Sequence, residues 1–288
     1  VIKLANRGSN AIRISNVTNS DVTFNLNNNS YTYVDNTSEY EGFILLQDFT
    51  KKSGNAENFS KVTINISNLT SPSDASRLFY VWEDSVGLVS DNNPVIKGDS
   101  SIEKFFAAKV GDTSYYKTLA DAIAAVSDDA TITLLKDVTT NVTIPEGKTI
   151  TLDLNGKTLN GGKNNGSAAL LNKGTVTIKD SSATKTGTIK REDDADKTGT
   201  SYYVIKNLGT MTIEQANVIN NSGYKKTNPY GSMVGSSLIC NGDSDDDKET
   251  TLTINDGVFE QQNFLATFNI QGYISDNSFS KSIVSPPY

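Results

Sequence analysis

Thr131-Ile132-Thr133-Leu134, Thr149-Ile150-Thr151-Leu152, Thr175-Val176-Thr177-Ile178, Thr210-Met211-Thr212-Ile213 and Thr251-Leu252-Thr253-Ile254 are five copies of one phrase, threonine and aliphatic in strict alternation. Alternation with a period of two marks a strand whose side chains leave opposite faces in turn, so the aliphatics point into a core and Thr points out. The copies start 18, 26, 35 and 41 residues apart. The first interval fits one circuit of a coil in which each strand lies on the one before. The longer ones fit one or two circuits carrying inserted loops, at about 191–198, 222–233 and 241–249. A single circuit cannot bury its own apolar edge, so such a core exists only when circuits stack. Gly174 and Gly209 immediately precede two of the copies, each two residues after an asparagine, Asn172 and Asn207.

Upstream, one segment has helical rather than strand spacing. Thr118-Leu119-Ala120-Asp121 fits a capping box, and Leu119, Ile123 and Val126 form one apolar stripe. This predicts a helix over about 118–127. A helix that short is marginal alone, so it is expected to cap the first circuit of the coil. Residues 1–100 carry short alternating strands, such as Val22-Thr23-Phe24-Asn25-Leu26 and Val62-Thr63-Ile64-Asn65-Ile66, separated by Asn-, Ser-, Gly- and Pro-rich turns. They are expected to form an antiparallel β-sandwich, the alternative being a distorted end of the coil, with Asp91-Asn92-Asn93-Pro94 as linker. The predicted fold is therefore all-β: an N-terminal β-sandwich over 1–100, then a short right-handed parallel β-helix with its capping helix over 101–288.

Composition narrows the function. A net charge of −7 disfavours phosphate backbones and anionic membranes. No run of about 18 apolar residues is present, so no membrane-spanning helix is expected. Cys240 is the only cysteine, which excludes an intramolecular disulfide framework. The chain has no histidine, and with it go the commonest general base and the commonest transition-metal ligand. Neither end carries a signal peptide, a sorting signal or a hydrophobic tail, and both read as cuts in a longer protein.

The stretch from Phe105 to Gly161 is more specific. It contains Ala107-Ala108-Lys109-Val110-Gly111-Asp112, Thr118-Leu119-Ala120-Asp121-Ala122-Ile123, Ile132-Thr133-Leu134-Leu135-Lys136-Asp137-Val138 and Ile150-Thr151-Leu152-Asp153-Leu154-Asn155-Gly156-Lys157. It resembles bacterial, Gram-positive-type surface proteins with a pectate-lyase-like β-helix, and the segment from Gly272 to Tyr288 is similar to the terminal turn of such coils. The resemblance implies an extracellular or cell-surface location and further modules in a longer protein. It says little about activity, because this fold carries lyases, hydrolases, adhesins and plain stalks alike.

Candidate site residues fall into four groups. Tyr202, Tyr203, Tyr224 and Tyr230 are candidates for stacking on a glycan, the last two in an inserted loop where binding residues collect. Alternation predicts that one of Tyr202 and Tyr203 points inward and the other outward. Asp243, Asp245, Asp246 and Asp247 are the candidate calcium ligands, although the run lacks the spacing of a calcium loop, and no cofactor is expected to be required. Asp153 and Asp180 follow strand cores and are the arithmetically plausible pair for a glycosidase, while Lys190, Lys206 and Arg191 are the candidate bases of a lyase. The outward Thr rows also have the form of an ice-binding ladder, against the plainer reading that Thr is a good outward strand former. The reading that follows is a non-catalytic surface module, a stalk or an adhesin for a glycan or host protein, with a carbohydrate-active β-helix enzyme as the alternative.

Overall fold

The computed structural model describes residues 2–4, 10–15, 21–33, 42–47, 59, 61–71, 78–81, 94–127, 129–163, 166–192, 202–221, 238–242 and 249–261. The chain is mostly β, with parallel sheets, and divides into two compact units, Val1–Ala124 and Ala125–Tyr288.

In the first unit the strands are β1 (Ile2–Leu4), β2 (Asn10–Ser15), β3 (Val22–Asn27), β4 (Tyr31–Tyr33), β5 (Gly42–Gln47), β6 (Val62–Ser67), β7 (Phe79–Val81) and β8 (Val95–Gly98). Among the described residues their pairings with one another are parallel: β1 with β4, β2 with β5 and then β7, β3 with β6 and then β8. The antiparallel sandwich expected for residues 1–100 is thus corrected for the described strands. The reason is physical. Alternation identifies a half-buried strand but carries no information on its direction, and the neighbours here are joined by crossovers too long for hairpins. Parallel stacking puts like on like, with Phe24, Ile64 and Ile96 in one register row and Asn25, Asn65 and Lys97 in the next. Asn65 Nδ2 donates to Asn25 Oδ1 at 2.8 Å, Ser67 Oγ to Asn27 Oδ1 at 2.8 Å and Asn68 Nδ2 to Asn28 Oδ1 at 3.1 Å.

After β8 the pairing changes sense. A 3-10 helix at Ser100–Phe105 starts on Asp99, whose Oδ1 accepts the Ser101 N–H at 2.9 Å and whose Oδ2 accepts the Asn68 N–H at 2.8 Å. Strands β9 (Ala108–Val110) and β10 (Ser114–Tyr116) form an antiparallel pair, and β10 lies antiparallel to β8. The predicted helix is α1 (Leu119–Ala125), with Leu119, Ala122 and Ile123 buried. Thr118 Oγ1 accepts the Asp121 N–H at 3.0 Å, the N-cap contact read from the sequence.

The second unit runs β11 (Ala130–Leu134), β12 (Val138–Thr139), β13 (Val142–Ile144), β14 (Thr149–Asp153), β15 (Thr158–Asn160), β16 (Leu170–Asn172), β17 (Thr175–Lys179), β18 (Thr188–Arg191), β19 (Ile205–Asn207), β20 (Thr210–Ile213), β21 (Asn217–Asn220), β22 (Ile239–Asn241), β23 (Thr251–Ile254) and β24 (Phe259–Gln261). Every pairing is parallel and joins a strand to the third one after it. Three sheets result, each gaining one strand per three-strand rung, an arrangement compatible with a β-helix or solenoid. The five threonine phrases are β11, β14, β17, β20 and β23 of one sheet. Ile132, Leu152, Ile178 and Ile213 stack inward in one register row and are buried. Thr131, Thr151, Thr177, Thr212 and Thr253 form one outward row, and Thr149, Thr175, Thr210 and Thr251 a second.

The third sheet turns into the first through the Asn-x-Gly triplets. Asn172, Asn207 and Asn241 are register partners at the ends of β16, β19 and β22. Asn172 Nδ2 donates to Asn207 Oδ1 at 2.7 Å, and Asn207 Nδ2 to Asn241 Oδ1 at 2.6 Å. The glycines that follow are required by close approach, because a Cβ on Gly209 would stand 2.2 Å from the carbonyl oxygen of Gly174.

Candidate functional site

The turns after β14 and β17 are each built around a carboxylate. Asp153 ends β14 and is only 5% exposed, while Asp180, directly after β17, is 2% exposed. Asp153 Oδ1 accepts two backbone N–H groups, from Asn155 in its own turn and from Ser181 in the turn of the next rung, each at 2.9 Å. Asp180 Oδ1 accepts from Ser182 at 2.9 Å and from Gly156 of the preceding rung at 2.8 Å, and its Oδ2 accepts from Gly187 at 2.5 Å. Between them the two side chains fix a left-handed bend, in which Asn155 has φ 47° and Gly156 φ 72°.

This environment sets the acidity of Asp180. Burial pushes its carboxyl up, but the hydrogen bonds from Ser182, Gly187 and Gly156 outweigh it and hold the group below the usual carboxylate range. A glycosidase needs one of its two carboxyls protonated at working pH. Asp180 is stabilised in the opposite state, and the donors around both residues belong to the turns. The two carboxylates that the sequence offered as a catalytic pair therefore act as turn anchors.

Tyr202 and Tyr203 lie just ahead of β19, outside the strand, so the one-in, one-out expectation does not hold. Both are half-buried and their rings meet, 5.0 Å apart between centroids and inclined at 58°. The Arg191 guanidinium lies 5.8 Å from the centre of the Tyr202 ring. Arg191 ends β18 with the same parity as the buried Ile189 and is itself 0% exposed, donating through a terminal nitrogen to the carbonyl oxygen of Ser167. Burial lowers the pKa of its guanidinium, partly offset by Tyr202. In register with it, Asn220 donates to the carbonyl oxygen of Tyr202 at 3.1 Å. Arg191 thus supports the tyrosine pair from inside. The inward parity of the fourth residue in Thr188-Ile189-Lys190-Arg191 was a signal for this placement.

The remaining candidates separate. Lys190 faces outward and pairs with Glu192 at 3.5 Å. Lys206 is on a different sheet, in register with Cys240. Tyr224, Tyr230, Asp243, Asp245, Asp246 and Asp247 lie outside the described residues. Among the described residues, no three carboxylates or thiols gather where they could hold a metal ion. Sequence reasoning overlooked the strand-end cluster of Asn160, Lys190 and Glu192, in which Asn160 Nδ2 donates to Glu192 Oε1 at 2.5 Å. Its signal was the shared parity of Asn160 and Lys190 in Thr158-Leu159-Asn160 and Thr188-Ile189-Lys190. Comparison with protein-family models, with curated proteins and with solved structures finds no match for the chain.

Proposed function

We propose that this chain is a non-catalytic module of a bacterial cell-surface protein, serving as a stalk or as an adhesin for a glycan or protein. The observation that carries the reading is the state of Asp153 and Asp180, buried and hydrogen-bonded to the backbone of stacked turns. A second support is the third-strand-on pairing of the Ala125–Tyr288 unit. We read that unit as a right-handed parallel β-helix, because crossovers between parallel strands of one sheet are right-handed in about 98% of cases. The parallel strands of the Val1–Ala124 unit support the same kind of stacking there. Where a ligand binds, the supported tyrosines Tyr202 and Tyr203 are the contact we assign, since a half-buried ring held by its neighbours loses little freedom on stacking against a sugar.

A glycan array, with and without calcium, tests this together with a reducing-end and unsaturated-product screen over acidic and neutral polysaccharides. The expected result is no turnover of any polysaccharide, and glycan binding, where present, weakened by Tyr203→Ala. Turnover abolished by substituting one carboxylate or lysine of the second unit would establish the enzyme alternative instead.

A further inference from the structure

We propose that Lys190 and Asn160 form an amide cross-link between adjacent strands, with Glu192 as the proton shuttle. This goes beyond the surface-module reading and does not depend on it. Asn160 and Lys190 are direct register partners on β15 and β18, one strand spacing apart, about 4.8 Å. They share the face opposite the buried Leu159 and Ile189, so their side chains run side by side. Glu192 Oε1 bridges them, 2.5 Å from Asn160 Nδ2 and 3.5 Å from Lys190 Nζ. The Gly162 N–H donates to Asn160 Oδ1 at 2.9 Å. Nucleophile, electrophile, proton carrier and a donor for the developing oxyanion are therefore gathered at the ends of two adjacent strands.

The chemistry is an acyl transfer without oxidation or reduction. Lys190 gives a proton to Glu192, and the uncharged amine attacks Cγ of Asn160 while Gly162 N–H holds the oxygen. Glu192 then delivers its proton to Nδ2, the Cγ–Nδ2 bond breaks, and the nitrogen leaves as ammonia. The remaining proton on the new amide nitrogen passes to Glu192 and out to water, where ammonia takes it up. One C–N bond forms, one breaks, and the chain becomes lighter by one ammonia.

A competing nucleophile sits nearby, because Asn160 precedes Gly161 and the backbone nitrogen of a following glycine can close a cyclic imide. Here that N–H is engaged, donating to the Lys190 carbonyl at 2.8 Å. The same contact fixes the segment that carries the lysine. Asn160 is 92% buried, whereas the side chains of Lys190 and Glu192 are 31% and 42% exposed, so the amide is held still and the amine stays open to water. Only an uncharged amine attacks, so alkaline incubation is the condition that accelerates the step.

The test is intact-mass measurement of the full chain before and after alkaline incubation, followed by peptide mapping. The expected product is lighter by one ammonia and yields a branched peptide joining the Asn160 and Lys190 segments. In Lys190→Arg the Asn160 segment should keep its full mass, and Glu192→Gln should react at least ~100-fold more slowly, both with unchanged circular dichroism. Wild-type chain that keeps its full mass, or yields only linear peptides, overturns the proposal. So does ammonia loss that peptide mapping places, in Lys190→Arg as in wild type, on a linear Asn160-Gly161 imide, as distinct from the Asn-Gly pairs at 155–156, 165–166 and 241–242. Unchanged kinetics in Glu192→Gln would remove the shuttle from the mechanism.

Discussion

Replacing Asn207 by alanine interrupts the buried asparagine row at its centre, and the cost can be worked from the contacts. Asn207 is fully buried. Its Nδ2 donates to Asn241 Oδ1 at 2.6 Å, to the Thr251 carbonyl at 3.0 Å and to the Gly209 carbonyl at 3.1 Å. Its Oδ1 accepts from Asn172 Nδ2 at 2.7 Å and from the Gly209 N–H at 3.3 Å. Truncation deprives groups on three rungs at once. Asn172 Nδ2 keeps the Gly174 and Thr210 carbonyls, at 3.2 and 3.0 Å, and suffers least. The Gly209 N–H and Asn241 Oδ1 lose the contacts given above. A buried polar group left without a partner costs about 1–3 kcal/mol. Gly209 and Asn241 are only half-buried, so each falls at the lower end and the two place the destabilisation at about 2 kcal/mol.

Urea unfolding followed by circular dichroism measures it, with Thr177→Val on the outward face as control. The control should stay within about 0.5 kcal/mol, as surface substitutions usually do. Asn207→Asp is the sharper companion: it keeps the shape but replaces a donor by an anion, so it should be at least as damaging as alanine. A loss under about 1 kcal/mol for Asn207→Ala, or an aspartate better tolerated than alanine, would refute the claim that this row holds the rungs in register.

Two further predictions follow from titrating groups. Asp180 has a depressed pKa, first opposed by burial and then fixed by Ser182, Gly187 and Gly156. It stabilises the fold above its unfolded pKa of about 4 and loses that contribution as pH falls through the folded value; urea midpoints measured from neutral to acid pH should show this loss, and Asp180→Asn should be less stable at neutral pH with a flatter acid limb. Tyr115 is buried against Phe106, with ring centroids 5.5 Å apart, and burial, helped by Glu103, pushes its phenol up to about 12. Its neutral form is favoured in the fold, so stability is full below the unfolded pKa of about 10 and declines from there as pH rises through the folded value; ultraviolet titration should find a step later than the exposed tyrosines, to which Tyr116, also raised by burial, contributes, and Tyr115→Phe should reduce that late step.

The first sheet of the second unit was legible in the sequence because each of its strands β11, β14, β17, β20 and β23 is a full period-two phrase and the phrases repeat, whereas the short strands of the other two sheets, such as Val138–Thr139 and Leu170–Asn172, carry too few residues to show a period. Position 2 of every phrase is aliphatic, and a one-residue slip would turn Ile150, Val176, Met211 and Leu252 outward together. The first unit was harder to read because its repeat is longer and its neighbours in space are far apart in sequence. Val22-Thr23-Phe24-Asn25-Leu26-Asn27-Asn28 and Val62-Thr63-Ile64-Asn65-Ile66-Ser67-Asn68 match position by position, and both final asparagines take positive φ, 57° and 50°. Each segment alone fits a sandwich strand. Only their likeness to one another, 40 residues apart, points to parallel stacking, since identical polar side chains gain most from a register that places them side by side.

The glycosidase alternative at Asp153 and Asp180 stood open in the sequence for a related reason. A carboxylate at the end of a strand looks like a catalytic group when strands are taken one at a time. In a stack, every rung turns at the same place and every turn leaves backbone N–H groups without intra-strand partners. An acidic side chain at the end of the strand can accept from its own turn and from that of a neighbouring rung, and so connects rungs where the ladder hydrogen bonds stop. Asp153 does this with Asn155 and Ser181, and Asp180 with Ser182 and Gly156. Asn172 and Asn207 do the equivalent at the opposite end of the Thr-rich strands, donating as well as accepting. Spacing along the chain shows that these residues recur; only the stacking shows that their polar atoms face turns on both sides, which leaves them little freedom for chemistry on a substrate.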